Sequence, residues 1–205
     1  MRTVLLEGQP ITPSKIVCVG RNYVEHIHEL GNAIPEQMVV FNKPNSSISP
    51  QLYAYHQHEQ LHYEGELSFI VKNRQLAAIG VGLDLTKRSL QSALKSKQLP
   101  WERAKAFDGS AVFSRFVSLD GLDINQFSVE VYINCVRVQC GHIEQMLYSP
   151  QVILEEVLAY TTLEDGDILM TGTPKGVGTV EVGDVFMMRL KHADQILLET
   201  EWLAE

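Results

Sequence analysis

The chain has 205 residues, 45% of them hydrophobic and 20% charged, enough for one domain with a full core. Its formal net charge of -8 and pI near 5.4 argue against a nucleic-acid or anionic-membrane surface, which needs clustered cations. They leave room for an anionic small molecule, because a metal ion and a few local cations reverse the field of a site.

Cys18, Cys135 and Cys140 are an odd set without C-x-x-C spacing. That fits neither a disulfide framework nor a zinc ribbon, so a reduced, cytoplasmic setting is expected. The opening MRTVLLEGQPITP has too short an apolar run for a secretory signal. No stretch approaches the roughly 20 apolar residues of a membrane span. With no repeat and no linker-like segment, residues 1–205 are expected to form a single domain.

Residues 4–6 read as a short strand, followed by a Gly/Pro turn. KIVCVG, residues 15–20, is a buried strand by its continuous apolar run. In residues 21–31, Asn22 is the expected N-cap of a short helix, Glu25 stands three residues on, and Gly31 is the stop. His26 and Glu29 then share one face at i and i+3. A carboxylate in that place orients the ring, which suits a general base; the alternative is a surface His–Glu pair. Residues 39–41 are a strand, with a turn over 43–47. His56, His58 and His62 lie in a polar loop without H-E-x-x-H spacing, and read as solvated rather than as zinc ligands.

HYEGELSFIVKNRQLAAIGVGLD, residues 62–84, predicts a hairpin about the polar Lys72-Asn73-Arg74 turn. Glu64 and Glu66, two apart on a strand, point to the same face. Carboxylates that close repel unless something positive sits between them. A hard divalent cation such as Mg²⁺ does this with oxygen ligands, and Asp84 can add a third oxygen. The alternative is an exposed edge strand with two solvated glutamates.

Thr86 is the expected cap of a helix running to about Gln98, with Leu90, Ala93 and Leu94 as its apolar face. Arg88 and Gln91, again i and i+3, could reach one site together or form a solvated face. Lys105, among Trp101, Ala104, Ala106 and Phe107, is either snorkelling or functional. Residues 127–140 alternate as strand, with a turn near Asn134 and Val129, Val131 and Ile133 on one face. Ser149-Pro150 opens a helix whose expected buried stripe is Val152, Ile153, Val157 and Leu158. A strand over 168–170 ends in TGTPKGVG, which lacks the Walker A pattern. Its glycines let backbone N–H groups approach a ligand, and Thr173 offers a hydroxyl. Gly183-Asp184 marks a turn before the strand at 185–190.

KIVCVGRNY, FNKPNSSI, HYEGELSF, GLDLTKRSLQ, PWERAKAFDGSA, LEDGDILMTGTPKGVG and VGDV run in one order through nearly the whole chain. Together they resemble the fumarylacetoacetate hydrolase superfamily, in its short acylpyruvase-like group. The resemblance implies an α+β fold, a mixed β-sheet roll with a few flanking helices, normally a homodimer. It implies Glu64, Glu66 and Asp84 as ligands of Mg²⁺ or Mn²⁺, and His26 and Glu29 as a catalytic lid dyad. It implies Lys105 as the oxyanion stabiliser, and Arg21, Arg88, Gln91 and Thr173 as substrate-binding residues. Val19 stands where some larger relatives carry a fourth carboxylate. Relatives usually have a longer, helix-bearing connection before G-x-D-L-T; here residues 74–80 pass almost directly.

The implied reaction is metal-dependent cleavage of a C–C bond in a 3-acylpyruvate or other 2,4-diketo acid. The alternatives on the same site are decarboxylation of oxaloacetate or its keto–enol isomerisation. A further alternative is a non-catalytic, ligand-binding relative.

Overall fold

The computed structural model describes residues 1–193 and 195–205. A sheet of seven strands forms the centre. Across it run Ala111–Phe113, Gln75–Asp84, Gly65–Lys72, Ile168–Met170, Lys15–Gly20 and Val39–Pro44, with Val117–Ser118 also paired to Gln75–Asp84. Only the pairing of Ile168–Met170 with Lys15–Gly20 is parallel; the others are antiparallel. A second, antiparallel sheet has the order Val136–His142, Phe127–Ile133, Val185–His192, Gln195–Leu203. The sheets curl into a half-barrel, the expected mixed α+β roll, with four α-helices among the described residues.

The hairpin of Gly65–Lys72 and Gln75–Asp84 turns on two residues, Asn73 and Arg74, both left-handed at φ 50° and 60°. Such a turn matches the strand twist and closes the hairpin without a helix, leaving both strands intact. From this hairpin Leu67, Phe69, Ile79, Val81 and Leu83 pack against Phe127, Val129, Val131, Phe186 and Met188 of the second sheet. The sheets meet closely at Gly65, where a Cβ would lie 2.4 Å from Val131 Cγ2.

Several local expectations shift. The first strand, Val4–Leu6, pairs with a further strand at Gln9–Ile11. The strand expected at 39–41 continues to Pro44, which carries Lys43 into the interior with no exposure. The loop at 50–61 holds a small hairpin, Tyr55–His56 with Glu59–Gln60. The strand expected at 185–190 runs to His192.

The helix after Asp84 spans Arg88–Ser96 (α2) and buries Gln91 and Leu94, while Ala93 is exposed. Thr86 does not cap it; Lys87 is the N-cap residue, without a side-chain capping bond. The helix Pro150–Tyr160 (α4) is capped by Ser149 as expected, but buries Leu154 rather than Val152. It covers Val17, Val19 and Leu169 of the central sheet. No helix among the described residues is long and apolar enough to cross a membrane.

The two central parallel strands start at one carboxylate. Buried Asp167 accepts from Ser14 N and Oγ, Lys15 N and Glu164 N, and pairs with Lys15 Nζ at 2.9 Å. Burial pushes its pKa up, but bonds from Lys15, Ser14 and Glu164 outweigh this and hold it below the usual value. A depressed carboxylate stabilises the fold above its unfolded pKa, about 3.9, and loses that stabilisation as pH falls through the folded value. Asp167→Asn should therefore lower stability at neutral pH by about 1–3 kcal/mol and flatten the loss of stability below about pH 4. Urea denaturation of both proteins across that range checks this; equal acid sensitivity would exclude the role.

Candidate active site

Glu64, Glu66 and Asp84 converge on one buried spot. They offer oxygens that lie within 4.8 Å of one another, the only such His/Cys/Asp/Glu group of three or more among the described residues. The hairpin explains this. Glu66 lies opposite Gly82, and Asp84 N donates to Glu64 O at 2.9 Å. The i, i+2 spacing of the glutamates puts both side chains on the same face, as expected. His56 and His62 are half-buried and His58 is exposed, and none of them is part of that group.

Three cations face the triad. Lys105, on the short helix Glu102–Lys105 (α3) and 2% exposed, spends all three ammonium protons. It donates to Glu64 Oε2 at 2.6 Å, Asp84 Oδ2 at 2.7 Å and Thr86 Oγ1 at 2.6 Å. This resolves the choice between snorkelling and a buried role. Arg88 pairs with Glu64 Oε1 and donates to Gln91 Oε1 at 2.8 Å. Lys43 lies 2.8 Å from Asp84 Oδ1 and donates to the carbonyls of Lys105 and Ser110. Its approach is off the hydrogen-bond direction, so Asp84 Oδ1 keeps no hydrogen-bond partner.

Lys43 was not legible as a site residue, because K-P-N-S-S reads as a turn. The available signal was its i+2 spacing from Phe41, which puts both on one strand face; Phe41 lines the site and Lys105 Nζ sits 5.2 Å from its ring centroid.

The two glutamates are pushed in opposite directions. Burial raises the Glu64 pKa, but Lys105 and Arg88 outweigh it and hold the group far below the usual range. Glu66 is pushed well above its usual value by burial, then by Asp84 and Glu64, against one bond from Gly172 N at 2.7 Å. Lys105 is held charged; burial lowers its pKa, but Asp84 and Glu64 raise it above the ordinary value. Glu66 thus lacks a cation of its own, and Asp84 Oδ1 has an unused lone pair. Both features fit a hard divalent cation held by Glu64, Glu66 and Asp84.

The expected His26–Glu29 pair forms on the helix Val24–Glu29 (α1). His26 Nδ1 lies 3.2 Å from Glu29 Oε2, and Glu29 Oε1 accepts from Gly176 N at 2.9 Å. His26 is buried at 5% exposure and lines the site cavity. Asn22 is not the cap: Tyr23 is the N-cap residue, without a side-chain bond. The Asn22 amide instead bonds Tyr148 N and O and Thr171 O at 2.8–2.9 Å, tying the root of the lid to the T-G-T-P loop. Capping and long-range bonding use the same residue types, so sequence alone does not separate them.

Gly172 has φ 93°, and a Cβ there would meet Asn22 Cβ at 2.9 Å and Val19 O at 3.0 Å. Thr173 donates to Gly65 O at 3.0 Å and accepts from Gln139 Nε2 at 2.8 Å. Arg21 holds a left-handed φ of 58° and lines the same cavity as Val19, Gln91, Thr173 and the triad. Free volume at the centre is about 40 Å³, where one water takes roughly 10–15 Å³.

Removing a partner from a buried ion cluster leaves charge uncompensated, at a cost of about 3–5 kcal/mol. Lys105→Met should destabilise the metal-free protein by about that much, and Mn²⁺ should restore part of the loss by binding the freed oxygens. Urea denaturation in chelator and in Mn²⁺ measures both. Stability equal to the unaltered protein in chelator would contradict the counter-ion role.

Residues 15–204 match the family described as fumarylacetoacetate (FAA) hydrolase C-terminal. Oxaloacetate tautomerase YcgM of Escherichia coli is 34% identical over 187 residues, 83% of this chain and 85% of that one. A mitochondrial oxaloacetate decarboxylase of Dictyostelium discoideum is 34% identical over 199 residues, covering 89% and 91%. The crystal structure of fumarylpyruvate hydrolase from Pseudomonas aeruginosa with Mn²⁺ and pyruvate superposes with a TM-score of 0.89. It is 25% identical and covers 99% of this chain and 95% of that one. The extent of these matches and the convergence of the triad, the lysines and the lid dyad lead to one conclusion: the chain belongs to the fumarylacetoacetate hydrolase family of enzymes.

Proposed function

We propose that the protein is a metal-dependent enzyme of short 2-oxo dicarboxylates, interconverting the keto and enol forms of oxaloacetate. The charge count of the site carries the reading. Glu64, Glu66 and Asp84 face Lys43, Arg88 and Lys105, and Arg21 and Lys95 line the same cavity, three formal negative charges against five positive. A divalent ion adds two more, and this excess of positive charge favours a dianionic substrate. The names of the tautomerase and decarboxylase relatives support the same substrate. They favour this alternative over C–C hydrolysis, which has support at family level only.

When bound at Glu64, Glu66 and Asp84, Mg²⁺ or Mn²⁺ would supply Lewis-acid polarisation of the 2-oxo group. The chain's own residues do the rest. Arg88 pairs with the carboxylate beside the 2-oxo group. Glu29 occupies His26 Nδ1, leaving Nε2 to take a proton from C3 and return one to the 2-oxygen. Lys105, its three N–H groups spent on Glu64, Asp84 and Thr86, stabilises the negative charge that develops on that oxygen through its positive charge rather than by a hydrogen bond. Thr173, fixed by Gln139 and Gly65 O, presents its hydroxyl at the cavity wall. Hydrolysis of a 2,4-diketo acid is the second reading, supported by the fumarylpyruvate hydrolase neighbour. There His26 would activate water instead.

Ultraviolet absorbance of the oxaloacetate enol, with Mg²⁺ or Mn²⁺ and then with chelator, tests the proposal. Interconversion should accelerate with metal and return to the solution rate in chelator. Faster release of CO₂ and pyruvate than of the isomer would establish the decarboxylase instead. Acetate and pyruvate from acetylpyruvate, with oxaloacetate untouched, would establish the hydrolase.

His26→Ala should slow interconversion by about 100-fold or more, the usual scale of a positioned acid–base, while Mn²⁺ affinity stays nearly unchanged. Glu29→Gln should act in the same direction more weakly. Decarboxylation needs no proton taken from carbon, so it should suffer less in both variants. Enol absorbance, CO₂ release and a metal titration on one preparation read all three, and an unaltered isomerisation rate in His26→Ala would remove the base.

A further inference from the structure

Arg88, Gln91 and Lys95 stand at i, i+3 and i+7 on α2, one stripe along the helix. The first two belong to the site described above; Lys95 has no role in it. Lys95 lines the same cavity, with Arg21, Asn32 and Trp101 beside it. Its Nζ donates to Asn32 Oδ1 at 3.2 Å and lies 5.7 Å from the Trp101 ring centroid. Arg21 Nη2 donates to the same oxygen, also at 3.2 Å. Two cations therefore share one neutral amide oxygen. Neither has a carboxylate within salt-bridge distance among the described residues. All four side chains are half-buried.

We infer that Lys95, with Asn32 and Arg21, forms a second carboxylate subsite, which selects 2-oxo dicarboxylates over 2-oxo monocarboxylates. The inference rests on the reading of the cavity as a 2-oxo acid site and names the group that reads the far end of the substrate. Arg88 and the carboxylate triad sit toward one end of the stripe and Lys95 lies two turns on. A dicarboxylate anchored at Arg88 finds its second cation along the helix. Burial first, then Arg21 and Arg88, lower the Lys95 pKa, with Glu64 opposing them. Asn32 closes the lid segment, its N–H donating to Ile27 O at 3.0 Å. A carboxylate bridging Lys95 and Arg21 takes the place of the shared amide oxygen and joins α2 to the start of the lid segment.

Binding, read apart from turnover, tests this. The chain has two tryptophans, and Trp202→Phe leaves Trp101 as the reporter at the cavity wall. Rapid fluorescence titration in Mg²⁺ compares oxaloacetate with 2-oxobutanoate, a four-carbon 2-oxo acid lacking the second carboxylate. In the Trp202→Phe protein oxaloacetate should bind about tenfold or more tighter, the scale of a charge-assisted hydrogen bond. Adding Lys95→Met keeps the packing on Trp101 and should erase most of that preference, leaving 2-oxobutanoate binding nearly unchanged. Lys95→Arg should retain it. In turnover, Lys95→Met should raise KM for oxaloacetate with little change in kcat. Equal affinities in the reporter protein, or equal weakening of both ligands by Lys95→Met, would overturn the subsite. Tight, Lys95-dependent oxaloacetate binding without interconversion would uphold the subsite and reject the tautomerase reading alone.

Discussion

Three carboxylates buried within reach of one another set the terms for the rest of the molecule. Ionised and unpaired, each would cost several kcal/mol to take out of water. The chain meets this by burying cations too, so that Lys43 and Lys105 are among its largest fully enclosed side chains. Those lysines come from opposite sides of the triad in sequence. They reach it only if Val39–Pro44 lies at one edge of the sheet and α3 packs back over it. The Lys43 ammonium also binds the carbonyls of Lys105 and Ser110, so one side chain fixes both the electrostatics and the path of the chain around the second lysine.

A similar economy governs the lid. Arg21 sits in a left-handed conformation that L-residues avoid by roughly 1–2 kcal/mol, and the next residue, Asn22, is wholly enclosed. The Asn22 amide joins the lid root to the Thr171 carbonyl and to the Tyr148 backbone. Farther along, Glu29 binds both His26 and Gly176 N. The imidazole and the T-G-T-P-K-G loop are thus tied together through Glu29, and Gln139 secures that loop to the hairpin through Thr173 and Gly65. A six-residue helix has little stability alone; here its position comes from these side-chain ties.

Patterns of period two and local spacing were legible in the sequence because they depend on neighbours along the chain. Glu64 with Glu66, the Asn73-Arg74 turn, His26 with Glu29 and the Ser149-Pro150 helix start are all of this kind. What escaped depends on tertiary partners. Asn22 and Thr86 carry the chemistry of helix caps, yet spend their polar atoms on distant strands and on Lys105. Lys43 follows an apolar strand into a turn-like K-P-N-S-S, and only the fold shows that the strand runs three residues farther. Gln139 looks like any polar position on an alternating strand until Gly65 N is found to need its carbonyl oxygen. On α4, Val152 and Leu154 exchange places because the covered stripe follows the sheet beneath, not the helix period alone.

The two-residue turn at Asn73-Arg74 also bears on the order in which the molecule assembles. A hairpin is a local contact and closes on the scale of microseconds, before pairings distant in sequence. Closing it draws Glu64, Glu66 and Asp84 together. Lys105 lies some way down the chain, and Gly172, which binds Glu66, farther still. The folding chain therefore gathers its negative charge early, and the lysines arrive to complete a site whose repulsion is already in place. Docking of α3 and the T-G-T-P loop sets Lys105 and the Gly172 N–H against those carboxylates, so the contacts that complete the site also relieve the repulsion that closing the hairpin creates.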